Sequence, residues 1–418
     1  MDKVSRRDVL VSTAAGGLMT AASHAHAATF GNPDLPPQGA INTEGNPAST
    51  TIIGPNNPAI SGQFPAALSP PPTDVGSLPM FWASFNNAPR RIQNGGWARQ
   101  VTQADFQISE EIAGVNMRLT RGGIRELHWH VFAEWAFVTK GSCRITTIDQ
   151  DGRANVEDVN EGGLWYFPAG LPHSLQGIGE DGCEFILCFD NGHASEYDTL
   201  LVNQWMAHTP PEVLAMNFAV PVESFKNIPL HDLYIFQGNV PGPLAEDQQQ
   251  AQGDAGPPTL RSSYPLSEAA PAKKTRGGEV RIADSSNFPA SKTIAAALVR
   301  IHPKGMREMH WHPNADEWLY IIEGEGELTV FETGPKVVTQ NFNAGDIGYV
   351  KRSQGHYLRN TGLTDMVYLE VFRSSYFSDV SLSDWLAHTP RAMVAQTLNV
   401  TVETIERFPD NKPVILPI

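Results

Sequence analysis

Apolar positions along this chain fall in short runs rather than in long amphipathic stretches. Runs rich in Val, Ile, Phe and Tyr are broken by Gly, Asp or Asn about every 8–12 residues, the spacing of antiparallel strands joined by turns. Ala136-Phe137-Val138 ahead of Lys140-Gly141 is one such run, and Leu328-Thr329-Val330-Phe331 behind Glu325-Gly326 is another. The pattern predicts an all-β (mainly β) class built as sandwiches or barrels, with few helices. Two stretches, Leu200 to Phe218 and Leu382 to Leu398, switch to a helical period. Residues 236–277 are rich in Pro and Gly and contain Asp247-Gln248-Gln249-Gln250-Ala251-Gln252, which predicts an exposed linker. Residues 28–77, rich in Pro, Asn and Gly, read as an extended N-terminal arm free to wrap around another domain.

The chain repeats itself. Arg125-Glu126-Leu127-His128-Trp129-His130 recurs as Arg307-Glu308-Met309-His310-Trp311-His312, 182 residues further on. Trp205-Met206-Ala207-His208-Thr209-Pro210 recurs as Trp385-Leu386-Ala387-His388-Thr389-Pro390, 180 residues further on. A period this long is a duplicated domain, not a solenoid of short repeats. The expected organisation is therefore a first domain over 78–235, the linker, and a second domain over 278–418.

Composition narrows the partners. With 30 Lys plus Arg against 45 Asp plus Glu, the net charge is −15. Such an acidic chain is a poor match for nucleic acid or an anionic membrane surface, both of which recruit cations. A small anion remains compatible, because a local site overrides net charge. Residues 1–27 read as an address. Ser5-Arg6-Arg7-Asp8-Val9-Leu10 precedes a weakly apolar run, Val11 to Ala22, and Ala25-His26-Ala27 follows. The run is too short and polar to span a bilayer. Paired arginines ahead of it resemble a twin-arginine export signal, which implies a periplasmic or secreted protein folded before export. The three cysteines, Cys143, Cys183 and Cys188, are an odd number and read as small buried hydrophobes without a disulfide framework.

Six histidines fall in two matching sets. His128 and His130 are i and i+2, so a strand presents both on one face. Glu134 stays on that face if the strand continues, and His173 follows after Pro168-Ala169-Gly170-Leu171-Pro172. The second set is His310, His312, Glu317 and His356. Its Glu is five residues after the second His, which turns it to the other face unless Pro313-Asn314 makes a turn or bulge. Three imidazoles and a carboxylate leave open positions on a divalent ion that prefers six ligands. His208 and His388, inside the helical pattern, read as capping or packing residues. Trp129 and Trp311 point away from the His pairs. They read as packing, with electron transfer between sites of neighbouring subunits as the sharper alternative.

These segments resemble the two motifs of the cupin superfamily. The first motif runs from Gly122 through His128, His130 and Glu134 to Gly141; the second runs from Gly162 through Pro168 and Gly170 to His173. In the second copy Gly305 stands one residue closer to the His pair, and Lys351 and Ser353 replace the Pro and Gly, departures that touch loops and not ligands. Two such motif pairs make a bicupin, so the resemblance implies two β-sandwich or jelly-roll barrels. Over roughly residues 80–410 the chain looks like the bacterial oxalate decarboxylases. That narrower resemblance implies two Mn²⁺ per chain, dioxygen as catalytic co-substrate, oxalate as substrate, and a trimeric or hexameric assembly.

Arg125 and Arg307 each lie three residues before a ligand pair. A guanidinium beside a metal suits a dicarboxylate, one end on the ion and the other on the fork. The competing reading is a salt bridge to a neighbouring carboxylate. Decarboxylation also needs a positioned proton donor. The family's lid glutamate falls on Glu196, while the family's following Asn and Ser are Tyr197 and Asp198 here. Glu370 falls on a family carboxylate near the second metal, and the family's nearby Tyr falls on Phe377, beside Tyr376. The first site is therefore expected to carry turnover. The alternatives are oxalate oxidase, which releases hydrogen peroxide, and a non-catalytic metal-binding bicupin.

Overall fold

A computed structural model describes residues 53–417. The export-signal reading of residues 1–27, and the arm up to residue 52, lie outside the described residues. Each copy is a barrel of two packed antiparallel sheets, as the alternating runs predict. In the first copy one long strand, Glu134–Ile148, serves both sheets. Its first half pairs with Leu164–Phe167 and Cys183–Phe189, and its second half with Ala154–Asn160 and His173–Gly177. The second copy divides the same run into Glu317–Glu323 and Glu325–Glu332. Gly141 and Gly324 mark the crossing point, at φ of 74° and 79°. A Cβ at Gly141 would lie 2.1 Å from the carbonyl oxygen of Gly182, so both the left-handed backbone and the close approach require glycine.

The two copies exchange strands. Trp82–Ser84, at the start of the first copy, pairs with Asp346–Val350 of the second. Ser263–Tyr264, from the connection, pairs with Leu164–Phe167 of the first. One core follows from this: Phe85, Trp135 and Phe137 of the first copy pack in the same cluster as Trp318, Leu319 and Tyr349 of the second. Trp135, Trp165 and Trp318 are fully buried. Burying a side chain of this size contributes on the order of 2–3 kcal/mol. Domain limits at 78–235 and 278–418 therefore cut across a shared structure.

Residues 236–277 are largely exposed, as expected of a linker, but they are structured rather than open chain. They carry a helix, Leu244–Gln252, laid against Ala154–Asn160. Arg144 Nη1 holds the helix through Asp247 at 2.6 Å, and Leu266 is buried. The arm is likewise not simply extended. It has short helices at Pro58–Gln63 and Pro65–Leu68, and Asp74 accepts from the Thr339 backbone N–H and hydroxyl at 2.8 and 2.9 Å on the second copy. Each predicted helical stretch breaks into two, Val202–Ala207 with Pro211–Phe218, and Leu382–Ala387 with Arg391–Leu398. Pro210 and Pro390 force the break, because the residue before proline is pushed out of the helical region. His208 and His388 sit at those ends, Nδ1 donating to the carbonyls of Gln204 and Asp384 at 2.7 and 2.8 Å, which is the capping role expected of them. All three cysteines are free and buried.

Candidate metal centres and their arginines

The strand ladder assembles both ligand sets. His128 pairs directly with His173, and His310 with His356. Within His128, His130, Glu134 and His173, and within His310, His312, Glu317 and His356, the ligand atoms all lie within 4.8 Å of one another. The route to Glu134 differs from the strand continuation expected, while the turn expected at Pro313-Asn314 is what brings in Glu317. Gly123–Trp129 and Met306–Trp311 end before the second His, and Glu134 and Glu317 open the following strands. The four- and five-residue spacings are therefore two turn lengths, not positions on one strand. Ser353 adopts φ of 68° where Gly170 has 79°, and the backbone N–H of each bonds the carbonyl of the second His at 2.9 Å. That replacement leaves the loop unchanged.

The donor set fits a divalent cation. Each histidine donates Nδ1–H to a main-chain carbonyl, of Glu126, Phe132 and Leu171 in the first set and Glu308, Ser378 and Gln354 in the second. This fixes the tautomer that turns an Nε2 lone pair inward. The Nε2 atoms of His128, His173, His310, His312 and His356 are buried without a hydrogen-bond partner. Burial, followed by the charge of the nearby Arg125 or Arg307, holds His128 and His310 well below the ordinary imidazole pKa, so they are neutral donors. Burial disfavours charge on Glu134, but His173 and His130 outweigh it and keep the carboxyl below the usual range. Glu317 behaves likewise with His356 and His312. Trp165 Nε1 donates to Glu134 Oε1 at 2.9 Å, orienting it. By ladder position the counterpart of Trp165 is Gly348, so Glu317 lacks this donor.

The arginines distinguish the two centres. Both are fully buried. Arg125 Nε donates to Glu196 Oε1 at 2.5 Å and Nη2 to Thr199 Oγ1 at 3.0 Å. Arg307 donates Nε to Glu370 at 3.4 Å and Nη2 to Asp379 at 2.5 Å, and Lys412 also holds Asp379. Arg307 is thus neutralised by fixed carboxylates, against the expectation that it binds substrate. Arg125 meets one carboxylate at salt-bridge distance, on the segment between the last barrel strand and the helices. Glu370 also accepts from the Tyr368 hydroxyl at 3.1 Å, and burial raises its pKa. Phe377 packs on His312, with ring centroids 5.7 Å apart. Trp129 and Trp311 lie edge-on to Trp205 and Trp385, 5.9 and 5.8 Å away, in accord with the packing role.

Sequence reasoning missed the clamp behind each arginine. Tyr234 and Val414 hold φ of 51° and 63°. Their carbonyls accept from Arg125 and Arg307, and their N–H groups donate to Glu126 and Glu308. It also missed Thr199 and Asp379, which stand 180 apart, the offset of the second repeated block.

The sequence profile of the Cupin family matches residues 83–225 and again residues 264–406. The chain belongs to the cupin family. Oxalate decarboxylase OxdC of Bacillus subtilis is 46% identical over 350 residues, 84% of this chain and 90% of the relative. A probable oxalate decarboxylase of Arthroderma benhamiae is 39% identical over 384 residues, 91% of each. Among solved structures, one addressing the Mn(II) centres of the Bacillus subtilis enzyme superposes with a TM-score of 0.85 at 44% identity, covering 88% of this chain and 97% of that one. Another, addressing substrate binding and a reaction-specificity switch in oxalate decarboxylase, gives 0.86 at 43% identity, with 91% and 99% covered. Two cupin barrels in one chain, with both ligand sets intact, agree with the bicupin expectation.

Proposed function

We propose that this cupin converts oxalate to formate and carbon dioxide, using manganese and dioxygen, with turnover at the first centre. The observation that carries this reading is the buried Arg125–Glu196 pair beside a three-His, one-Glu ligand set. The names of the relatives supply the substrate and the metal. Oxalate has one carboxylate for the cation and one for a guanidinium. To reach Arg125 it must take the place of Glu196, whose displacement leaves that carboxylate free to move a proton. Bound manganese with dioxygen supplies removal and return of one electron. Arg125 fixes the far carboxylate. Glu196 accepts the proton of hydrogen oxalate, and returns it to carbon once the C–C bond has released carbon dioxide. Phe167 and Phe189, against His173 and His130, keep the site dry. Product analysis of the manganese-loaded chain tests the reading.

Export by the twin-arginine route, to the periplasm or beyond, rests on residues 1–27. Assembly into a trimer or hexamer rests on exposed apolar surface. Trp205 is 68% exposed, Met216 83% and Trp385 55%. A cavity of about 520 Å³ lies among Met309, Trp311, Phe331, Tyr357 and Trp385. A second copy of the chain is its proposed occupant. Light scattering tests this, since Trp385→Glu would dissociate the assembly.

A further inference from the structure

Glu196 and Tyr197 are neighbours on an irregular segment, and their side chains go opposite ways. Glu196 is 1% exposed and bonded to Arg125; Tyr197 is 39% exposed. The Tyr197 ring stands edge-on to Tyr234, centroids 5.9 Å apart. Arg91 lies over both rings, 5.7 Å from Tyr197 and 3.9 Å from Tyr234. Arg91 is itself fixed by Asp232 at 2.8 Å. Tyr234 is a rigid seat, buried and clamped at left-handed φ by Arg125 and Glu126. The second copy has the reverse arrangement. Leu200 pairs with Trp129 as Val380 pairs with Trp311, which sets Tyr197 opposite Phe377 and Glu196 opposite Tyr376. There the aromatic at the Tyr197 position turns inward onto His312 and Phe372, and Tyr376 is 53% exposed. In the first copy the earlier of the two neighbours turns inward, to Arg125, and in the second copy the later one does, onto His312.

We infer that Tyr197 is a latch: its seat on Tyr234 and Arg91 holds the segment closed with Glu196 turned inward, setting how readily oxalate enters. It is a positioning residue, acting through Glu196. A polar clip works beside it, the Gln100 side chain bonding Glu196 N at 3.0 Å and Ser195 Oγ at 3.2 Å. An edge-to-face pair plus a partly exposed cation–π contact shifts an open–closed equilibrium by on the order of tenfold. Because oxalate needs the open form, a strong latch raises the apparent KM.

The consequence for KM rests on the proposed activity; the latch itself does not. The experiment is amide hydrogen exchange on the full manganese-loaded chain, comparing wild type with Tyr197→Asn and Tyr197→Phe. Expected is about tenfold faster exchange over residues 193–199 in Tyr197→Asn, none elsewhere, and near wild-type exchange in Tyr197→Phe, which keeps the ring. Oxalate kinetics should then give a lower KM for Tyr197→Asn. Unchanged exchange in Tyr197→Asn, or equal acceleration in Tyr197→Phe, would overturn the latch. A wild-type chain inert toward oxalate would instead overturn the proposed activity, with the exchange result still deciding the latch.

Discussion

Arg125 Nε and Glu196 Oε1 lie 2.5 Å apart with both side chains buried. The pair is built to be exchanged, because its acid stands on a connecting segment and its base on a barrel strand. Breaking a buried ion pair costs on the order of 3–5 kcal/mol unless another anion takes the vacated partner. A dicarboxylate does that, which couples substrate entry to release of the proton-transfer group.

Replacing Glu196 by Ala separates the two roles. Formate production should fall by roughly 10²-fold or more, the usual contribution of a positioned general acid. KM for oxalate should fall too, because no carboxylate competes for Arg125. Steady-state assays of formate check both; unchanged formate output would remove Glu196 from the mechanism.

Arg125 and Arg307 should respond differently to Lys. Arg125→Lys is expected to raise KM strongly, since one ammonium cannot reproduce a two-pronged contact. Arg307→Lys disturbs the buried Glu370–Asp379 network and should lower the thermal midpoint while leaving formate per folded chain near wild type. Unfolding scans beside kinetics distinguish these outcomes.

The Trp165–Glu134 bond predicts unequal metal centres. Trp165→Phe should weaken manganese binding at the first centre about 10–100-fold, the typical effect of losing an orienting partner behind a ligand. Manganese titration in a His310→Ala background, where only the first centre reports, measures it.

Asp379 gives a pH dependence. Burial favours its neutral form, but Arg307 and Lys412 outweigh burial and hold its carboxyl at about 2, below the ordinary 3.8. A depressed acid stabilises the fold above its ordinary pKa and loses that contribution as pH falls from about 4 to about 2. The size is on the order of 2 kcal/mol. Asp379→Asn should therefore lose less thermal stability across that window than wild type. Equal losses would place the acid sensitivity elsewhere.

Much of this site was legible in the sequence because it follows from strand chemistry and repetition. The i, i+2 histidines and the 182-residue offset mark both ligand sets, and the Arg three residues upstream marks the anion contact. Glu134 was right for partly the wrong reason: a turn, not strand periodicity, brings it in, whereas the turn at Pro313-Asn314 was open to view for Glu317. What stayed hidden depends on contacts between distant segments. The fate of Arg307 is set by Asp379, 72 residues away. The left-handed Tyr234 carries no glycine or asparagine to announce it. The exchange of Trp82–Ser84 and Ser263–Tyr264 between copies leaves no local signal, and the Leu244–Gln252 helix has the glutamine-rich composition of a linker.

The most direct test is the carbon balance of the manganese-loaded chain incubated with oxalate under air at mildly acid pH, with formate and hydrogen peroxide quantified together. Close to one formate per oxalate, with little peroxide, is the expected result. Peroxide with two carbon dioxide per oxalate would contradict it and make the chain an oxidase. Oxalate left untouched by a metal-replete protein would remove the substrate assignment altogether.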